Sequence, residues 1–130
     1  MSATKDYLKF AQLKVPTDLL DAIASLLDMK TVHGRKCLEV KLGEAKLLDD
    51  KQQDYGPNNI IEIGLHGVIS RVNDKKARAE NLLKKRTDAL ANAEVVSQTA
   101  NESLADTFQD IANYGTIATM VERNIWPTAS

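Results

Sequence analysis

Toward the C-terminus, Glu102, Asp106, Asp110 and Asn113 recur at intervals of four, four and three residues. At about 100° per residue, a helix would gather them within an arc of roughly 80°. Three carboxylates stacked this way repel one another. A helix tolerates them if the face meets water, pairs with cations from elsewhere, or holds a metal ion. Two of the three are aspartates and the arc closes on an amide, a donor set suited to Mg²⁺. That ion takes one or two carboxylates and completes its shell with water and substrate phosphate. A plain solvated face is the simplest alternative. Leu104, Phe108, Ile111 and Ala118 lie opposite and are the expected packing stripe.

A second set is basic. Arg71, Lys75 and Arg78 fall at i, i+4 and i+7 and share a helix face. Arginine suits two-pronged contacts with phosphate oxygens. The alternative is a solvated face paired with Asp74 and Glu80. Lys84, Lys85 and Arg86 read as solvated. His66 stands between glycines on a mostly apolar face and reads as a hydrogen-bonded core histidine; His33 sits in a turn. Neither has a partner at metal-ligand spacing, and there is no zinc pattern, P-loop or nucleophile elbow.

These sets need helices to position them. Aromatics make up only 5% of the 130 residues, and the aliphatics are mostly Ala, Leu and Ile, which favours an all-α chain. A first helix over about 3 to 13 would end before Pro16. Thr17 is a suitable N-cap for an amphipathic helix to about 29, carried by Leu19, Leu20, Ile23, Leu26 and Leu27. His33-Gly34 breaks it, and a long helix follows over about 35 to 55. Asp54-Tyr55-Gly56-Pro57 is the strongest turn signal: Gly56 caps and Pro57 forbids continuation. A third helix, about 59 to 86, contains Gly64 and Gly67, each costing about 1 kcal/mol against alanine unless a backbone or ligand comes close. Residues 87 to 100 read as loop with some local helix. The last helix starts near Asn101 and reaches Arg123. This gives a helix bundle of one compact unit over 35–126 with an N-terminal helical segment over 1–34.

Net charge is −1, so no general field favours DNA, RNA or a membrane surface. Non-specific nucleic-acid binding is therefore not expected. The single cysteine, Cys37, cannot pair within the chain, which fits a reducing compartment. No signal peptide is visible after Met1, and no run approaches the ~18 apolar residues of a membrane span. A cytoplasmic protein with no membrane partner is expected. Leu13, Leu19, Leu20, Leu26, Leu27, Ile125 and Trp126 are more apolar surface than a thin monomer needs, so a homo-oligomer is expected.

The run from Asn101 to Tyr114 resembles the final helix of the nucleotide-modification-associated, MazG-like domains of phages and bacteria, which close on E-x-x-x-D-x-x-x-D-x-x-N-Y. Lys51-Gln52-Gln53-Asp54-Tyr55-Gly56 resembles their K-x-x-D-Y-G turn. The stretch from Arg71 to Leu82 resembles their R-x-x-D-K-x-x-R-x-x-N-L helix. Order and spacing agree from Glu39 to Arg123. The resemblance implies a four-helix core, paired subunits and a bacterial or phage-infected host. It is similar to the wider all-α nucleoside triphosphate pyrophosphohydrolases, which cut a nucleotide to a monophosphate and pyrophosphate with Mg²⁺. Their acid pairs are spaced E-x-x-E and E-x-x-D. Here Glu39 and Glu44 are five apart, and the last helix is spaced four and four.

On that resemblance, Glu102, Asp106 and Asp110 would hold Mg²⁺, with Asp106 central to catalysis. Asp54 would add a ligand or act as general base. Lys51, Arg71, Lys75 and Arg78 would hold phosphate oxygens. Asn81 and Asn113 would read base or ribose edges, and Tyr55 would stack on a base; for Tyr55 and Tyr114 a core role is the alternative. Three readings stay open: a Mg²⁺-dependent nucleotide pyrophosphohydrolase, a protein that binds or sequesters a nucleotide or nucleotide signal uncut (as a phage anti-defence protein would), and a structural self-assembling helical module.

Overall fold

The computed structural model describes residues 15–56, 58–92 and 98–128, and only the backbone of 98–102. Among these residues there are four helices and no strand, as expected of an all-α chain: α1 (Thr17–Leu26), α2 (Val32–Tyr55), α3 (Asn58–Ala91) and α4 (Gln98–Glu122). No helix is long and apolar enough to cross a membrane among the described residues. The expected helix over 3–13, Leu13, Pro57 and the side chains of Asn101 and Glu102 lie outside the description. The chain divides into two compact units, Met1–Lys51 and Gln52–Ser130.

In the first unit, Pro16 takes the flanking position of α1 with extended backbone, and no side chain caps the helix. Thr17 is therefore the first helical residue and not the N-cap. The helix stops because Asp28 turns left-handed at φ 53°. The Met29 N–H donates to the Ala24 carbonyl (2.9 Å) and the Asp28 N–H to that of Ser25 (3.1 Å). This is a Schellman closure, which satisfies carbonyls that the helix leaves over. The expected break at His33-Gly34 is instead the first turn of α2. Thr31 Oγ1 accepts a hydrogen bond from the Gly34 N–H (3.0 Å) and caps the new helix. A Cβ on Gly34 would crowd Met29 Cε and Thr31 Oγ1 at 3.0 and 3.2 Å, which gives that glycine a packing reason. An ion pair between Arg35 and Asp21 ties α2 to α1. Along α2, Lys41–Glu44 (3.2 Å) and Lys46–Asp50 (2.9 Å) are neighbours on the helix surface. The hydrogen bond with Asp50, and then its charge, holds the Lys46 ammonium above its usual value.

α2 ends as the sequence suggested. Gly56 is left-handed at φ 73°, and its N–H donates to the Gln52 carbonyl (2.9 Å).

In the second unit, α3 is not one continuous helix. Gly64 sits at φ 62°, ψ −173° and kinks it. That region is open essentially to glycine alone. Gly67 lies just past the kink, where a Cβ would stand 2.4 Å from Ile63 Cβ. The two glycines thus have separate reasons: one makes the bend, the other lets the chain close behind it. The helix then runs to Ala91, beyond the expected end at 86, and α4 is already helical at Gln98. Residues 87–91 and 98–100 are therefore helical, within a stretch expected to be loop with some local helix. The physical reason is local: Ala89 and Ala91 are strong helix formers, and no glycine or proline interrupts 87–100. α4 closes with a second Schellman motif. Asn124 is left-handed at φ 57°, and the N–H groups of Asn124 and Ile125 donate to Val121 and Met120 (3.0 and 2.9 Å).

α3 packs against α4. Ile60, Val68 and Ala79 are buried on α3, and Leu104, Thr107, Asn113 and Ile117 on α4.

Candidate functional site

Two polar contacts set the register of this pair. Lys75 Nζ meets Asp110 Oδ2 at 2.9 Å. The Arg78 Nε–H donates to Thr107 Oγ1 at 3.2 Å. Three residues forward on α3 is three residues back on α4, so the helices are antiparallel.

This register turns the acidic arc of α4 toward α3. The Asp110 side chain keeps only 12% of its exposure, and Asn113 is buried at 8%. Asp106 is half-buried. Phe108, expected in the packing stripe, is 54% exposed. The expected assignment of faces is thus partly reversed: Leu104 is buried, but Phe108 points to solvent and the carboxylates turn inward. The cause is the neighbour. Cations on α3 neutralise what would otherwise be a costly burial of charge.

Helical spacing divides the pair into two flanks. At about 100° per residue, Arg71 and Arg78 fall together on one side of α3, and Leu65, Ile69 and Leu83 on the other. The apolar side carries an open groove of about 380 Å³ lined by Leu65, Ile69, Ala118, Thr119, Glu122 and Arg123. Ile69, Leu83 and Phe108 are exposed. The Lys76–Glu80 pair (2.8 Å) is exposed between Ile69 and Leu83, and the hydrogen bond with Glu80, followed by its charge, raises the Lys76 ammonium above its usual value. Glu80 thus serves Lys76, not Arg78. Arg71 and Asn81 are exposed on the polar side.

The expected site residues are only partly assembled by these contacts. Lys75 and Asp110 are joined, and Arg78 stands beside them on Thr107. Asp106 and Asn113 lie on the same helix as Asp110, within its arc. The Glu102 side chain is outside the described residues. Asp54 and Tyr55 close α2 and are exposed, Tyr55 at 67%; neither makes a hydrogen bond or ion pair with the cluster among the described residues. Lys51 is half-buried and is the last residue of the first unit. His66, expected in the core, is exposed, because it stands two residues before the buried Val68 and so falls on the opposite side of the helix.

Thr107 is the residue that sequence reading missed. It is buried at 1%, and its hydroxyl donates to the Ser103 carbonyl (2.7 Å) while accepting from Arg78. A β-branched hydroxyl three residues before Asp110 was the available signal, since such side chains bond back to the preceding turn.

Among the described residues no group of three or more His, Cys, Asp or Glu side chains is placed to hold a metal ion. Asp106 and Asp110, one turn apart, are hard oxygen donors. They fit an ion that needs only one or two carboxylates, as Mg²⁺ does. They do not fit a structural zinc site, which wants four thiolate or imidazole ligands. Chemically, the flank offers guanidinium groups and an ammonium beside carboxylates, a combination suited to a polyanion carried with a divalent cation.

Compared with known protein families, curated proteins and solved structures, the chain matches none.

Proposed function

We propose that the second unit is a MazG-like nucleotide-handling domain that binds a nucleoside polyphosphate with Mg²⁺ and cleaves it to a monophosphate and pyrophosphate. The observation that carries this reading is the Lys75–Asp110 contact at 2.9 Å, which sets a basic face of α3 against an acidic face of α4. Arg71, Lys75 and Arg78 would hold phosphate oxygens. Asp106 and Asp110 would hold the metal, with Glu102 one turn earlier. A bound Mg²⁺ would neutralise phosphate charge and polarise an attacking water, whose oxygen would bond to the phosphorus as pyrophosphate leaves. Asn81 and Asn113 would read base or ribose edges. Asp54 as base or ligand and Tyr55 as a stacking platform complete the proposal within this unit. The exposed Ile69, Leu83 and Phe108 support a homo-oligomer, because a stable monomer rarely leaves so many apolar side chains in water. The cytoplasm of a bacterium or of a phage-infected host is the proposed location.

A second reading has its own support. Asp110 is engaged by Lys75, and the described residues hold no three-ligand metal group. The same flank would then bind a nucleotide or nucleotide-derived signal without cutting it.

One experiment separates the two. Purified protein is incubated with Mg²⁺ and a panel of nucleoside triphosphates, and released pyrophosphate is measured alongside thermal stabilisation. Pyrophosphate release supports the hydrolase. Stabilisation with the nucleotide recovered intact supports the binding protein. Neither turnover nor stabilisation across the panel rejects both.

A further inference from the structure

Resting on the phosphate-binding reading above, we propose that Thr107 is a positioning residue that aims the Arg78 guanidinium as a two-pronged clamp for a pair of phosphate oxygens. The Thr107 hydroxyl proton is committed to the Ser103 carbonyl at 2.7 Å. Its lone pairs are therefore what face Arg78, and they accept the Nε–H at 3.2 Å. One oxygen thus receives one proton and gives another, which fixes its orientation. At 1% exposure the threonine has no freedom to swing away.

The consequence falls on Arg78. Its Nε–H is used internally, while the terminal Nη1 and Nη2 groups have no partner among the described residues, and the residue is exposed. A guanidinium held at Nε presents its outer edge in a fixed plane. That edge carries two parallel N–H bonds, matched to two oxygens of one phosphoryl group. A lysine cannot be aimed in this way, because its ammonium is a point charge on a flexible stem. The ligand class that follows is a tetrahedral or terminal polyphosphate oxyanion, gripped by geometry as well as by charge. Ordering the side chain before the ligand arrives also lowers the entropy lost on binding.

The test uses the full chain, with inorganic pyrophosphate and Mg²⁺ as probe and titration calorimetry as readout. Thr107→Val keeps the shape and removes the acceptor; Thr107→Ser keeps the acceptor. Thr107→Val is expected to weaken binding about five- to tenfold, the scale of one ordinary intramolecular hydrogen bond. Thr107→Ser should stay within about twofold of the native chain. With Arg78→Ala as background, Thr107→Val should cost nothing further, since the threonine acts only through the arginine. In a ¹⁵N–¹H spectrum without ligand, the Arg78 Nε–H should be protected from exchange in the native chain and Thr107→Ser, and exposed in Thr107→Val. Equal weakening by Val and Ser, or the same loss in the Arg78→Ala background, overturns the positioning role and leaves phosphate binding standing. Failure of the native chain to bind pyrophosphate overturns both.

Discussion

Lys75 of α3 and Asp110 of α4 meet at 2.9 Å, with 32% and 12% of their side-chain surfaces exposed. The contact is mostly withdrawn from water, so each charge depends on the other. Lys75→Met and Asp110→Ala should each destabilise the chain by about 1–3 kcal/mol, because each takes an opposite charge away from a poorly solvated one. Removing both should cost less than the two single losses together. Urea unfolding of the two variants and the double variant measures this. Simple additivity would mean that the contact carries no coupling.

Asp106 is half-buried and lies one turn before Asp110. If it holds Mg²⁺, Asp106→Ala should abolish pyrophosphate release while shifting the melting temperature by no more than a few degrees, about 1 kcal/mol for a domain of this size. Chelation of the native chain with EDTA should abolish the same activity, and added Mg²⁺ should restore it. Activity that survives EDTA, or that persists in Asp106→Ala, would remove Asp106 from the chemistry.

The two glycines of α3 should fail for different reasons. Gly64→Ala meets no atom within 4 Å, but forces an alanine to φ 62°, ψ −173°. A loss of about 1–3 kcal/mol is expected from backbone strain alone. Gly67→Ala places its Cβ 2.4 Å from Ile63 Cβ. That loss is steric, so it should shrink in an Ile63→Gly background, whereas the Gly64→Ala loss should not. Denaturation midpoints of the two glycine variants, of Ile63→Gly and of the two double variants decide between strain and crowding.

Asn124 closes α4 from the left-handed region at φ 57°. Asn124→Ala should destabilise by about 1 kcal/mol, and Asn124→Gly should be neutral or slightly stabilising, since glycine takes this conformation freely. Thermal melts of the two variants should rank Gly at or above Asn, and Asn above Ala.

Several of these features were legible in the chain. Gly56 after Tyr55 announced its turn, because a glycine followed by proline leaves a helix few other ways to end. The shortage of aromatics and the periodic Leu, Ile and Ala announced an all-helical fold. The four-and-four spacing of Glu102, Asp106 and Asp110 follows from helix geometry wherever that helix lies. Local signals misled where two were in competition. Gly34 reads as a breaker, yet Thr31 three residues earlier makes it a capped first turn.

The tertiary structure alone decided which face of each helix is covered. Periodicity groups Leu104 with Phe108 and Asp106 with Asp110, but it cannot say which group meets a neighbour. That depends on what the neighbour brings, and α3 brings Lys75 and Arg78 in antiparallel register. With those cations opposite, Asp110 is cheaper to cover than its charge suggests, and Phe108 is left in water. The Thr107–Arg78 contact joins residues far apart in sequence, so no local pattern could contain it.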